Sequence, residues 1–351
     1  ICFNDTSSYK KHNSYLITNF PPKHHDQMIV KTALRSTILC LLFVSSKAFR
    51  PATNNLKMDI SQSLPPLKVP ESFEVPEPKP LTVTDSSKIP SLLLGAASLG
   101  LRFGSSITTF GYKPAFGEAS EGEYALKIGP LSLKDSNPTV KTFNRPKKTL
   151  VLYEYEASSD CRKVREACSL IDLSVSIRPC PKNGNNFRAR LESFGEGINV
   201  PYMIDPNTKT CLYESEEIID YLFEKYGPGK ESVPSSLKGA ISNFSSSLAG
   251  WVTFSGGQTR LKNAKPENGL RKELELWGYD GSPFVKPVRA LLTELELPHK
   301  LIFCARGSAN REEMIKKAGR FQVPFLVDPN TGVEMFESNE IVQYLKDVYT
   351  D

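Results

Sequence analysis

The chain of 351 residues contains two similar copies of one sequence pattern, and this repeat limits the fold more than any other feature of the sequence. The first copy begins LVLYEYEASSDCRKVREACSLIDLSVSIRPC at Leu150, and the second begins LELWGYDGSPFVKPVRALLTELELPHKLIFC at Leu274. A Val-Pro pair stands 14 residues before a Glu-Ser pair in both copies, at Val200 and Glu214 and again at Val323 and Glu337. Self-similarity with one internal spacing indicates two copies of one structural unit.

The first part of each copy predicts a strand, a helix and a second strand. Leu150–Tyr155 is a short apolar and aromatic run, which is typical of a buried strand. Apolar residues then recur at helical spacing from Val164 to Ile171, and Leu173–Ile177 predicts the next strand. Because two strands flank one helix, we expect a parallel pair with a right-handed crossover.

The second part of each copy predicts a hairpin and a closing helix. An Asp-Pro-Asn turn separates the apolar runs 201–205 and 211–213, and such residues satisfy the backbone of a tight turn. Ser215 is predicted to cap the last helix, with acidic residues in its first turn. The sequence therefore predicts an α/β protein with two tandem thioredoxin-like domains, small mixed sheets flanked by helices, each preceded by a helical leader segment.

The repeat divides the chain into seven segments. Residues 1–27 precede the first methionine, Met28, and are interpreted as an upstream segment outside the fold. The remaining segments are a signal peptide (28–48), a transit peptide with a proline-rich linker (49–90), a helical leader and linker (91–148), the first domain (149–228), a linker with a helix (229–271) and the second domain (272–351).

The segment after Met28 has the order of a targeting sequence. A basic start is followed by the apolar run Thr37–Val44 and by small residues up to Ala48. The run is too short to span a bilayer, so we expect no transmembrane span in the mature protein, while peripheral association stays open. The step Lys47-Ala48-Phe49 resembles the cleavage motif of proteins sent to complex plastids of algae, and plain secretion is the alternative. The resemblance implies the stroma of a complex chloroplast.

The charge of the chain argues against a nucleic-acid partner. Lys and Arg number 44 against 39 Asp and Glu, a net charge of +5. Residues 1–48 hold six of these bases and two of the acids, so the remainder is nearly neutral. A nucleic-acid binder requires a basic surface on its folded part.

The cysteine and histidine content limits the chemistry. Five of the seven cysteines lie after residue 59, with no CxxC pair, which favours reduced thiols over a disulfide framework. His299 is the one histidine after residue 25. We therefore expect no metal cofactor and no nucleophile that is activated by histidine.

The Val-Pro pair, the Asp after the third strand and the Glu-Ser pair together resemble a known family. Each copy, over about residues 149–228 and 272–350, is similar to the glutathione-binding N-terminal half of glutathione S-transferases, a glutaredoxin-like fold. The tandem resembles plastid and cyanobacterial proteins with two such domains. The resemblance implies glutathione as ligand or cosubstrate, and glutathione or a glutathionylated protein as partner. The helical second half of a transferase is not expected here, which disfavours ordinary transferase chemistry.

The resemblance implies two binding elements in each copy. The backbone at Val200-Pro201 and at Val323-Pro324 would bind the cysteinyl unit through a cis peptide bond. The pairs Glu214-Ser215 and Glu337-Ser338 would hold the γ-glutamyl group, because a helix N-terminus offers N–H groups and the positive end of its dipole. The alternative is that both serines only cap their helices.

A third element faces the ligand sulfur before the first helix. Glutaredoxin-like relatives carry Cys-Pro-Tyr/Phe-Cys, whereas the first copy has Ser158-Ser159-Asp160-Cys161. Cys161 is the candidate nucleophile, because the helix start and nearby bases favour a thiolate, while Asp160 opposes it. The second copy has Ser282-Pro283-Phe284-Val285, which resembles a serine-type transferase site, where a hydroxyl stabilises the bound thiolate. An inert Ser-Pro turn is the alternative.

The sequence thus supports two functional hypotheses. The first is a glutathione-binding thioredoxin-fold protein with weak glutaredoxin-like thiol-disulfide or glutathione-transfer activity, in which Ser158, Cys161 and Ser282 are the candidate catalytic residues. The second is a non-catalytic interaction or scaffold module that keeps the fold and has lost its redox site. The missing first cysteine favours the second hypothesis, and the repeated binding elements favour the first.

Overall fold

The computed structural model describes residues 67–78, 107–117, 125–128, 131–193, 199–238, 256–266 and 271–351. The predicted signal peptide, most of the transit segment, residues 91–106 of the predicted helical leader and residues 239–255 of the predicted second linker lie outside these ranges. The described part of the leader holds three short strands and one short helix rather than a long helix. Among the described residues, no helix is long and apolar enough to cross a membrane.

A small antiparallel sheet precedes the first copy of the repeat. Its strands are β1 (Ala115–Phe116), β2 (Ala125–Ile128) and β3 (Leu131–Lys134), in the order β1-β3-β2. A short helix, α1 (Pro138–Lys141), follows because Asn137 caps it by accepting a hydrogen bond from the Thr139 N–H.

The first copy, unit one, folds in the predicted order with one added helix. Its elements are β4 (Leu150–Glu154), α2 (Ser159–Leu170), β5 (Val175–Pro179), α3 (Phe187–Glu192), β6 (Tyr202–Asp205), β7 (Thr210–Tyr213) and α4 (Ser215–Tyr226). Helix α3 is not predictable from the pattern of apolar residues, since six residues are too few to show helical periodicity.

The second copy, unit two, repeats this order. Its elements are β8 (Leu274–Gly278), α5 (Val285–Glu294), β9 (His299–Phe303), α6 (Asn310–Ala318), β10 (Phe325–Asp328), β11 (Val333–Phe336) and α7 (Ser338–Tyr349). Helix α5 begins at Val285, three residues after Ser282, so that Pro287 lies in its first turn, where proline is tolerated. The predicted α/β fold of thioredoxin-like units is confirmed.

The two units share one sheet of eight strands, in the order β11-β10-β8-β9-β5-β4-β6-β7. Within each unit the first two strands are parallel, as predicted. The units meet at β5 and β9, which pair antiparallel with Val175 opposite Leu301 and Ile177 opposite His299. Each unit thereby covers a strand edge that the other would leave open to unwanted pairing.

The largest apolar cluster runs through both units. It contains residues of β4, β5, β8 and β9 together with residues of α2, α4, α5 and α7. Side chains alternate between the two faces of a strand, so the strand residues next to those of the large cluster point to the opposite face of the sheet. There they form two smaller clusters, one on each unit. Phe187 of α3 packs there with Tyr153, and Met314 of α6 packs with the buried Trp277.

The segment before each unit binds the opposite unit. Ile107 and Thr109 exchange backbone hydrogen bonds of 2.7 and 2.8 Å with Arg306 of unit two. Residues 258–260 make the equivalent exchange with Lys182 of unit one, at 2.7 and 3.0 Å. The two units are therefore interlocked by their own connecting segments.

An acid after the first helix of each unit caps a helix of the other. Asp172 and Glu296 occupy matching positions, with φ angles of 55° and 53°. Glu296 accepts hydrogen bonds of 3.1 Å from the N–H groups of Asn185 and Asn186, at the start of α3. Asp172 accepts one of 3.3 Å from the Ala309 N–H, at the start of α6. These carboxylates satisfy helix N–H groups that lack an intrahelical partner.

Two arginines bridge the units in a buried charge cluster. Arg165 of α2 binds Asp280 of unit two at 2.7 Å, Glu156 at 3.1 Å, and Glu154. Arg289 of α5 binds Glu156 of unit one at 2.9 Å and Asp280 at 3.2 Å. Burial raises the pKa of Glu154, against the lowering by Arg165. Each arginine thus anchors the first helix of its unit to acids of both units.

Candidate functional site

Both predicted cis peptide bonds are present. Val200-Pro201 and Val323-Pro324 are cis, and each stands directly before the third strand of its unit. The backbone of Val200 and Val323 therefore lies at the sheet end from which β6 and β10 start.

The Glu-Ser pairs form an unusual helix start in both units. Helices α4 and α7 begin at Ser215 and Ser338, so the predicted capping by Ser215 is wrong: Glu214 is the cap residue, and its side chain makes no capping hydrogen bond. Glu214 and Glu337 have φ angles of 77° and 74°, a region that glutamate rarely adopts. Such a conformation costs on the order of 1–3 kcal/mol, and its recurrence in both units favours a role in binding.

In unit one the helix start contacts the candidate catalytic segment. Ser215 is buried, and its hydroxyl donates a hydrogen bond of 3.4 Å to Asp160 in the first turn of α2. Lys163 pairs with the same carboxylate at 2.8 Å, and 52% of the Asp160 side chain is exposed. The structure thus places an acidic group next to Ser215, where the resemblance implies that a ligand carboxylate would bind.

Unit two has a different arrangement at this place. Phe284 stands where unit one has Asp160. Gln322, which directly precedes the Val-Pro pair, donates a hydrogen bond of 2.7 Å to Glu337. The two predicted binding elements are therefore joined through Gln322, a residue that the sequence analysis missed although it is adjacent to the repeated Val-Pro pair.

The predicted preference of Cys161 for the thiolate is wrong. Cys161 is fully buried, and burial, together with the nearby charge of Glu154, raises the pKa of its thiol to about 12. The hydroxyl of Ser158 accepts a hydrogen bond of 3.3 Å from the Cys161 N–H and caps α2. Cys161 is therefore a protonated thiol at neutral pH. The free cysteines Cys168, Cys180 and Cys304 are also buried, and burial raises each pKa.

A tyrosine missed by the sequence analysis lies beside this segment. Burial raises the pKa of Tyr155, Cys161 adds to the rise, and a hydrogen bond with Ser158 opposes it. The phenol therefore keeps its proton and can donate to an anion. The sequence could have pointed to this residue, because the second copy has Tyr279 at the matching position. The carbonyls of Tyr155 and Tyr279 accept hydrogen bonds of 3.2 and 3.1 Å from the backbone N–H of the serine three residues later.

Ser282 is held in the same way as Ser158. It is 2% exposed, and its hydroxyl accepts a hydrogen bond of 3.4 Å from the Val285 N–H. Lys286 follows within the same turn, and burial lowers its pKa to about 8, with Arg162 and Arg289 adding to the effect. No group of His, Cys, Asp and Glu that could hold a metal ion occurs among the described residues.

Two segments of the chain, residues 152–231 and 276–351, match the family model of the glutathione S-transferase N-terminal domain. Both units are thioredoxin-like and similar to this domain. The matches cover the cis Val-Pro bonds and the Glu-Ser helix starts of both units.

Two curated relatives carry the same family description. The chain is 33% identical over 69 residues to the glutathione S-transferase-like protein tpcF of Aspergillus fumigatus, which covers 20% of this chain and 31% of the relative. It is 36% identical over 78 residues to the glutathione S-transferase GstB of Escherichia coli, with 22% and 38% covered. The chain thus matches only about a third of the length of each relative. No solved structure matches the chain.

Proposed function

We propose that this protein binds glutathione, or the glutathione group of a modified protein, at the Glu-Ser helix starts. The observation that carries the proposal is the positive φ angle of Glu214 and Glu337 at the same place in both units, directly before helices of 12 residues. The N-terminus of such a helix attracts the α-carboxylate of a γ-glutamyl group through its N–H groups and its dipole.

Unit two is the stronger of the two proposed sites. In unit one the Asp160 carboxylate already contacts Ser215, and it would repel the carboxylate of an incoming ligand. Unit two has Phe284 at this position and therefore lacks that charge. The half-buried Ser338 and the Gln322–Glu337 pair supply polar groups at the start of α7.

Thiol chemistry is slow in this proposal. A transfer step would need the Cys161 thiolate to attack a disulfide sulfur and release the glutathione thiolate, but the thiol is buried and its pKa is raised to about 12. Alkylation with iodoacetamide followed by mass spectrometry tests this point. The labelling rate of Cys161 in the folded chain should keep rising above pH 9, whereas a plateau near pH 8.5 would show an ordinary accessible thiol.

Calorimetric titration of the full chain tests the binding proposal. We expect heat with millimolar reduced glutathione and at least about tenfold weaker binding of cysteinylglycine, which lacks the γ-glutamyl group. The absence of heat with reduced glutathione would refute the proposal. Equal affinity for the two ligands would refute the assignment of the helix starts.

We also propose that the signal peptide (28–48) and the transit segment that follows it (49–90) direct the protein to a plastid. The support is the basic start, the apolar run and the Ala48-Phe49 step, all in the sequence. N-terminal sequencing of the mature protein should find no residue that precedes Phe49. Recovery of a mature chain that still contains Cys40 would contradict the proposal.

A further inference from the structure

A cleft of about 300 Å³ lies where the two units meet and shares no residue with the Glu-Ser sites. Its walls come from the end of α1, the residues before β4, the turn after α2, one residue of β9 and the start of α6. The lining residues used below are Lys141, Arg145, Lys147, Asp172, Lys300 and Asn310. A volume of this size suits a small metabolite.

The lining is strongly basic. Lys141, Arg145, Lys147 and Lys300 stand against one acid, Asp172, among the lining residues that the structure describes. Arg145 is fixed at the wall, because its guanidinium donates hydrogen bonds of 2.9 Å to the Ile171 carbonyl and 2.8 Å to the Val140 carbonyl. Four cations around one small cavity favour an anionic ligand.

The acid in the cleft has an oxygen that lacks a partner. Asp172 is 8% exposed, and its Oδ2 atom caps α6 through the Ala309 N–H. Its Oδ1 atom is buried and has no hydrogen-bond donor within the described ranges. Burial raises the pKa of Asp172, and the nearby Ser308 hydroxyl and the charge of Arg145 oppose that rise. The Ser308 proton is nevertheless donated to the Phe303 carbonyl at 3.0 Å. A buried carboxylate oxygen without a donor is costly, so a ligand that donates a hydrogen bond here would remove that cost.

The start of α6 does not itself offer a free anion site. The Ala309 N–H donates to Asp172, and the Asn310 N–H donates a hydrogen bond of 3.0 Å to the Ser308 hydroxyl. Recognition of an anion therefore falls to the side chains of Lys141, Lys147 and Lys300 on the wall. The cleft thus combines cations for an anionic group with a single acceptor for a donor group.

We propose that this cleft binds a small phosphorylated polyol. The phosphate carries the charge that the lysines require, and a hydroxyl of the same molecule donates a hydrogen bond to Asp172 Oδ1. Lys300 belongs to unit two, Asp172 belongs to unit one, and Lys147 directly precedes unit one. The bound ligand therefore contacts both units. Binding to the folded state alone then stabilises the pair against unfolding.

Glycerol 3-phosphate is the probe, with inorganic phosphate and glycerol as its two halves. In calorimetry with the full chain, glycerol 3-phosphate should bind about tenfold more tightly than phosphate, glycerol should give no heat, and only the first should clearly raise the melting temperature. Lys147→Ala and Lys300→Ala should each weaken binding about tenfold. Lys346→Ala, a matched control on the exposed side of α7, should change nothing.

Asp172→Asn tests the hydroxyl contact. The variant should lose the preference for glycerol 3-phosphate over phosphate, while phosphate itself still binds. Because Asp172 also caps α6, the lysine variants provide the test that does not depend on that cap. No binding of glycerol 3-phosphate would overturn the proposal, as would equal binding of both probes by the unmodified protein. Ser338→Ala should leave this site unchanged, which separates its outcome from that of the glutathione proposal.

Discussion

The two units share a scaffold but differ where the first strand leads into the first helix. Unit one has Glu154 at the end of β4 and Cys161 in the first turn of α2, and unit two has Gly278 and Val285 at the matching places. Glu154 reaches Arg165. A Cβ atom on Gly278 would lie 2.6 Å from Val285 Cγ1, so the valine methyl groups fill the space that a carboxylate side chain uses in unit one.

The comparison of the two units distinguishes the residues that join the units from the residues beside the proposed binding elements. The contacts between the units are repeated in both directions: Asp172 and Glu296 cap helices of the opposite unit, and Arg165 and Arg289 bind acids of both units. Beside the proposed binding elements the units differ, since Asp160 and Cys161 of unit one correspond to Phe284 and Val285 of unit two. The shared sheet therefore requires symmetry, whereas the ligand-facing positions do not.

Removal of one buried arginine should have the largest effect. Arg165→Ala leaves three acids buried without their common partner, and we expect a loss of about 3–5 kcal/mol in the free energy of unfolding. Arg289→Ala should cost somewhat less, because Glu156 and Asp280 keep Arg165 as a partner. Urea unfolding followed by circular dichroism measures both values.

Arg178→Ala is the matched control. Arg178 pairs with Glu273 at 2.8 Å, and both side chains are partly exposed, so its removal should cost less than about 1 kcal/mol. A loss for Arg165→Ala as small as that for Arg178→Ala would contradict the stabilising role of the cluster between the units.

A buried histidine should make unit two sensitive to acid. The Nδ1–H group of His299 donates a hydrogen bond of 2.9 Å to the Leu297 carbonyl, and burial lowers the pKa of the imidazole to about 4, while unit one has Val175 at this position. Its pKa in the unfolded chain is about 6.5, so protonation favours unfolding. The contribution of His299 to the free energy of unfolding should therefore be complete above pH 6.5, and up to about 3 kcal/mol of it should be lost as the pH falls to 4.

His299→Val makes this position like unit one. Unfolding in urea at several pH values should show a flatter dependence for the variant between pH 6.5 and 4. An unchanged slope would show that His299 is not held in the neutral form by its burial between the two units.

A smaller effect is expected at Gly278. Gly278→Ala places a methyl group against Val285 and should cost about 1–3 kcal/mol. In a Val285→Ala background the cost should fall toward zero, because the contact is gone. The double-mutant cycle measures this coupling, and an equal cost in both backgrounds would mean that the two residues do not compete for the same space.

The local elements could be predicted from the sequence, and the contacts between units could not. The strand predicted at Leu150–Tyr155 agrees with the observed β4 except for one residue at its end. Such agreement is expected because an apolar run bounded by turn residues defines a strand well. The capping of α3 by Glu296 joins residues 110 and 111 positions apart, and no local pattern encodes such a pair. The sequence around Cys161 shows bases and a helix start, but it does not show the burial that raises the pKa of the thiol.

The central claim is that glutathione binds at the Glu-Ser helix starts, and more strongly in unit two than in unit one. Calorimetric titration of the full chain with reduced glutathione, compared with Ser338→Ala and Asp160→Asn, tests it most directly. Loss of the Ser338 hydroxyl should weaken the stronger site about tenfold, and removal of the Asp160 charge should strengthen the weaker site. Unchanged binding in both variants would contradict the claim.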